Sequence, residues 1–218
     1  INETRKSAPG NFSIKQYRAD LLDGFKYLKT EKGLRNIYSY MSITGGASHG
    51  GAMITQAFYQ TQPWLTVTML GFLQSAELIG RMFAGMLQYR WEVPVKKRFL
   101  LTKFVYTVYN IMDAILLFTS YPLMLANRFI CGALGSTTAT IRHSAVQSYL
   151  PAEMRARVNA VFQMMFAIGM VLFQFLAGWL GQVMSYRLVM VILAGLSLTA
   201  MFFLIWIPAE DNRPIYEA

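Results

Sequence analysis

Several side chains that carry charge stand deep inside long apolar runs of this sequence: His49, Glu77, Arg81, Asp113, Arg128 and Arg142. In hydrocarbon each charged group costs about 2.5–3.5 kcal/mol on insertion scales unless it is paired or hydrated. Each therefore needs a partner or a function. Glu77 and Arg81 are spaced so that carboxylate and guanidinium meet on one helix face. That pair reads either as a structural bridge or as a proton-binding carboxylate whose affinity is set by burial against the arginine. His49 falls at a similar depth in the preceding run. The two runs are expected to be hairpin neighbours, so His49 can exchange protons with Glu77, or it can be a hydrogen-bonded bystander.

Asp113 and Arg128 lie about two turns either side of a short connection at 120–121, one on a descending helix and one on an ascending helix. They should face each other at equal depth, as a staple between two spans or as a gate. Arg142, followed by His143, comes about four turns after Arg128 and so shares its face. That helix also carries the stripe Gly132, Ser136, Thr140, Ser144 and Ser148. Such a stripe is a flat packing face or the wall of an aqueous cavity, since hydroxyls are wasted against lipid. Ala76, Gly80 and Ala84 offer a shorter small-residue face. Gly45, Gly46, Gly50 and Gly51, grouped around His49, either pack tightly against a neighbour or let the helix bend or unwind.

The elements that hold these residues follow from the apolar runs. Of 218 residues, 55% are hydrophobic and 14% charged, against about a quarter charged in a soluble domain. Runs long enough to cross about 30 Å of hydrocarbon cover roughly residues 36–60, 64–89, 99–119, 122–149, 158–184 and 188–207. The expected fold is an all-α integral membrane domain, a six-transmembrane-helix bundle over 36–207. A linker precedes it at 1–14, then an amphipathic interface helix at 15–35 in which Tyr17, Leu21, Phe25 and Leu28 recur at helical spacing. A tail follows at 208–218. Short connections predict that consecutive helices pack as antiparallel hairpins.

The net charge of +9 would suggest nucleic acid in a soluble protein. Here the basic residues gather where spans end, so the lipid bilayer is the expected partner and nucleic acid is not. Arg5, Lys6, Lys15, Arg18, Lys26, Lys29, Lys32 and Arg35 precede the first span. Arg90, Lys96, Lys97, Arg98 and Lys103 flank the second connection, Arg155 and Arg157 the fourth, and Arg213 lies in the tail. The other side keeps Arg187. By the positive-inside rule both termini are cytoplasmic. The lone Cys131 reads as a packing residue, and no metal-ligand spacing or nucleophile constellation is present, so neither a metal, a cofactor nor an enzyme is expected. An opening Ile1 in a linker-like stretch reads as a fragment of something longer.

Three stretches resemble the major facilitator superfamily, in particular its drug- and siderophore-exporter branch, which includes macrolide efflux proteins. Residues 20–34 look like the segment joining the two six-helix halves. The run from Arg128 through Gly132 and Gly135, continuing through Pro151 to Arg155 and Arg157, is similar to the arginine–glycine motif of helix four as repeated in helix ten, with its basic inner loop. Gly85 to Arg98 occupies the place of the glycine-and-basic motif between helices eight and nine. The aspartate usual there is absent, with Tyr89 near its position, and residues 91–95 intervene.

The resemblance implies the C-terminal half of a secondary transporter working by alternating access in a bacterial inner membrane. It implies as partners an N-terminal six-helix half, protons and a small lipophilic substrate. Phe58, Phe72, Met164, Met165, Phe166 and Phe173 are candidates for a greasy cavity, although residues of these types more often take lipid-facing or core positions. A proton-coupled exporter is the leading expectation. An importer of a small solute and a non-transporting scaffold or sensor module are the alternatives.

Overall fold

The computed structural model describes residues 14–91 and 93–217, with side chains from Tyr17 onward. The linker expected at 1–14 lies outside them but for Ile14, as do Arg5, Lys6 and the Lys15 side chain. Among the described residues every regular element is helical: α1 (Ile14–Thr30), α2 (Lys32–Thr61), α3 (Val67–Arg90), α4 (Val95–Ile115), α5 (Tyr121–Tyr149), α6 (Ala152–Val183), α7 (Tyr186–Met201) and α8 (Ala209–Tyr216). A 3₁₀ turn at Leu116–Phe118 ends α4, and a π turn at Phe202–Trp206 extends α7.

Local chemistry sets these boundaries. Thr66 caps α3, its hydroxyl accepting from the Met69 amide at 3.2 Å. Pro122 sits in the first turn of α5, where a missing N–H costs nothing. The interface helix and the first span meet sooner than the sequence suggests. The chain breaks at Glu31, whose carboxylate accepts from the Tyr149 hydroxyl at 2.8 Å, and α2 begins at Lys32, with Gly33 packed directly on the Asp211 carbonyl of α8.

Among the described residues three helices are long and apolar enough to cross a membrane: Val95–Phe118, Ala152–Val183 and Tyr186–Trp206. The other long helices, α2, α3 and α5, carry His49, Glu77, Arg81, Arg128 and Arg142, which lowers their mean hydropathy. Large apolar side chains nevertheless cover the outside. Phe72, Ile79, Met82 and Met86 form an exposed face of α3, with Met86 75% accessible, and Phe175 on α6 is 79% accessible. An apolar face of this extent is stable in lipid and not in water. The protein is membrane-embedded.

Helix pairing departs from the expected hairpins. The main partners are α2 with α6 and α3 with α5, with α7 wedged against α2 and α4, whereas α2 and α3 touch little despite their short connection. Small residues decide this. A Cβ on Gly169 would strike the Ser42 carbonyl, and one on Gly46 would meet the Gly169 carbonyl, so α2 and α6 lie backbone to backbone. Gly80 and Gly132 do the same for α3 and α5. Of the two readings of the α2 glycines, tight packing is therefore the one observed, and α2 runs unbroken through them.

The segment read as a tail is the packed helix α8, with Asn212, Ile215 and Tyr216 fully buried. Pro208 explains how it docks. Its ring excludes the ordinary bond to the carbonyl four residues back, on Leu204. The Asn212 side chain fills that place, its Nδ2 donating to Leu204 O at 2.8 Å.

Candidate functional site

Between the α2–α6 and α3–α5 pairs lies a cavity of about 240 Å³ whose wall brings together His49, Glu77, Arg81, Asp113 and Arg128. Gln74, Asn110 and Ser197 add polar groups, and Leu70, Leu73, Met190 and Leu193 an apolar floor. A second cavity of about 480 Å³ shares Ser48, His49 and Arg81 with the first and continues past Tyr106, Tyr109 and Phe166 to Arg142.

Four of the charged residues form one alternating chain. Arg81 donates to Glu77 Oε1 at 2.5 Å, Glu77 Oε2 lies 4.0 Å from Arg128, and Arg128 donates to Asp113 Oδ1 at 2.6 Å. The sequence presents two separate pairs, and the close α3–α5 contact joins them. Gly132, on the turn after Arg128, lies against the backbone of Glu77 itself, so the motif glycine is what brings the acidic residue to the arginine.

Burial grades along this chain. The Arg128 side chain is 11% accessible, whereas that of Arg81 is 56% accessible at the cavity rim. Arg128 is also held by Asn127, whose Oδ1 accepts at 2.9 Å while its own amide donates to Met112 O at 2.8 Å. The sequence does not single out Asn127. Its one signal is a polar neighbour to an intramembrane arginine. Cys131 is fully buried beside the same group, its Sγ 3.5 Å from the Arg128 guanidinium.

His49 Nδ1 donates to the Gly45 carbonyl at 2.8 Å, and its ring stands edge-on to Phe166 at 6.0 Å. That bond occupies Nδ1, and the side chain lines both cavities. His49 and Glu77 thus share a wall without a direct bond. Because α2 and α3 are not packed neighbours, transfer between them needs a bridging water or a movement of the helices.

The remaining motif residues act elsewhere. Gly135 faces Tyr109 at ordinary contact distance on the second cavity. Arg155 donates to the Leu150 carbonyl at 3.1 Å and caps α5. Arg157 binds Asp20 at 2.8 Å and Asp23 at 3.5 Å, fastening α1 to α6. Ser136 and Thr140 of the hydroxyl stripe line the second cavity. Of the greasy candidates, Phe166 lines it too, while Phe58 is buried in the core and Phe72 is exposed on the outer face.

Near Arg142 the structure adds a cluster that the sequence does not announce. Asn110 donates to the Tyr40 hydroxyl at 3.2 Å, the Tyr106 and Tyr216 hydroxyls are 3.2 Å apart, and the Tyr40 and Tyr106 rings lie 4.9 Å centroid to centroid. Residues from α2, α4 and α8 meet there, and spacing along the chain predicts none of those contacts.

Among known proteins, the family model described as Major Facilitator Superfamily matches residues 65–217. The search of curated proteins gives no significant match, and neither does the search of solved structures.

Proposed function

We propose that this chain, which belongs to the major facilitator superfamily of membrane transporters, is the C-terminal half of a proton-coupled exporter of lipophilic small molecules. In this reading α2 to α7 are six spans, both ends of the chain face the cytoplasm of a bacterial cell, and an N-terminal half closes the cavity from the other side. Members of this family are transporters rather than enzymes.

The observation that carries the proposal is the position of Glu77: a carboxylate on a cavity wall, held between Arg81 and Arg128. As a carboxylate it neutralises Arg81 and ties the rim of the cavity to its buried end. As a carboxylic acid it loses most of its hold on both guanidiniums. Protonation and substrate then compete for the same charges, which is the coupling an antiporter needs. The buried Asp113–Arg128 bridge holds the arginine in place throughout the cycle. Apolar walls from Leu70, Leu73, Met190 and Leu193 suit a greasy solute.

The test is dye uptake into inside-out vesicles carrying the whole transporter, driven by a proton excess imposed inside the vesicles, so that protons leave as dye enters. Uptake that collapses with a protonophore supports the reading. Accumulation only in right-side-out vesicles makes the protein an importer, and no movement of varied dyes favours a scaffold or sensor.

A further inference from the structure

Arg142 differs from the other arginines of the two cavities. Arg81 has Glu77 and Arg128 has Asp113, but among the described residues no carboxylate pairs with Arg142. Its guanidinium rests on the Met41 sulfur and neighbours the hydroxyls of Tyr106, Tyr216 and Tyr40, all neutral groups. Counted together, the walls carry three guanidiniums against two carboxylates. The surplus positive charge sits at Arg142, facing a cavity of about 480 Å³. A half-buried cation within a membrane domain is costly until an anion reaches it.

The rest of that cavity fits an anion of a particular kind. Tyr109 and Phe166 offer aromatic surface, Ser48 and Ser136 offer hydroxyl donors, and Arg81 adds a second guanidinium at the rim. Volumes of this order hold drug-sized ligands. A cationic solute would meet two arginines and gain nothing from them.

We infer that the second cavity is an anion-binding site in which Arg142 receives the carboxylate or sulfonate of an organic anion with an aromatic body. The inference rests on the transporter reading for its role as a substrate site, and it narrows the lipophilic solute to an acidic one. Arg142 and Arg81 bind the charged head, while Tyr109 and Phe166 stack on the body. Arg81 belongs to both cavities, so the anion's arrival draws it from Glu77. Substrate binding is thereby linked to the freeing of the carboxylate.

The experiment compares three probes of one shape and different charge, naphthoate, naphthylmethanol and naphthylmethylammonium, binding to the purified full transporter in detergent. Naphthoate should bind about 10- to 100-fold more tightly than the alcohol, as a charge-assisted contact provides. The ammonium should bind most weakly. Arg142→Gln should erase the preference for naphthoate, and Arg142→Lys should keep part of it. Equal binding of the alcohol or the ammonium overturns the inference, as does a preference that survives Arg142→Gln. If the glutamine variant does not fold, the wild-type ratio and the lysine variant decide. Binding is read without transport, so the two proposals fail separately. A naphthoate preference without transport counts against the transporter reading, and transport without that preference counts against this site.

Discussion

The backbone carbonyl of Glu77 lies against Gly132 so closely that a methyl group there has no room. One contact therefore sets both the spacing of α3 and α5 and the reach of Glu77 toward Arg128. Gly132→Ala should destabilise the protein by about 1–3 kcal/mol, the range for overpacking a tight interface. Gly135→Ala, whose methyl would meet only the Tyr109 ring at 3.4 Å, should be near neutral. Thermal unfolding in detergent separates the two. Similar losses from both would mean that the motif glycines serve helix flexibility instead of close approach.

Breaking the Asp113–Arg128 bridge on one side should cost more than removing it altogether. Asp113→Asn leaves a buried guanidinium with only distant Glu77 for charge balance, and a loss of about 3–5 kcal/mol is expected. The double variant Asp113→Asn with Arg128→Gln should recover a substantial part. A double-mutant cycle measures this, and simple additivity would show that the bridge is not a coupled unit.

Glu77→Gln should abolish transport driven by a proton gradient while leaving exchange of labelled for unlabelled substrate intact. The amide keeps the size of the side chain and cannot carry the proton. Gradient-driven transport at the wild-type rate would place the coupling site elsewhere, with His49 the next residue to replace.

Asn212→Ala removes the donor that stands in for the bond Pro208 denies to Leu204. The orphaned carbonyl should cost about 1–3 kcal/mol, and α8 should become accessible to protease before the rest of the bundle. Unchanged protection would show that burial of Ile215 and Tyr216 alone holds the helix.

The ties from Arg157 to Asp20 and Asp23 are half-exposed, so they should contribute about 1 kcal/mol or less and fade with salt. Cleavage of α1 by protease should rise in the Asp20→Asn, Asp23→Asn variant at low ionic strength. At high salt it should match the parent.

What the sequence reveals here is local. Glu77 and Arg81 meet because four residues span one helical turn. Asp113 and Arg128 meet because a tight turn at 120–121 folds two helices back at equal depth. The link from Glu77 to Arg128 is not legible, because it depends on which helices choose each other. That choice is made by glycines at separations no periodicity encodes, Gly80 with α5 and Gly169 with α2. Short connections predict that α2 and α3 pair, and backbone contact with α6 and α5 wins instead. Asn127, Tyr40, Tyr106 and Tyr216 escaped for the same reason. Each is an ordinary polar or aromatic residue until long-range packing puts it beside an arginine. Asn212 escaped because a polar, charged tail gives no hint that Pro208 leaves it a carbonyl to satisfy.

The sparse contact between α2 and α3 turns the site into its own gauge. Arg81, Glu77 and Arg128 ride on a fused pair of helices, while His49 rides on another. Probes placed within α3 and α5 should report a constant separation through the working cycle. Probes on α2 and α3, attached near His49 and Glu77, span the seam and should record each opening as a change in distance.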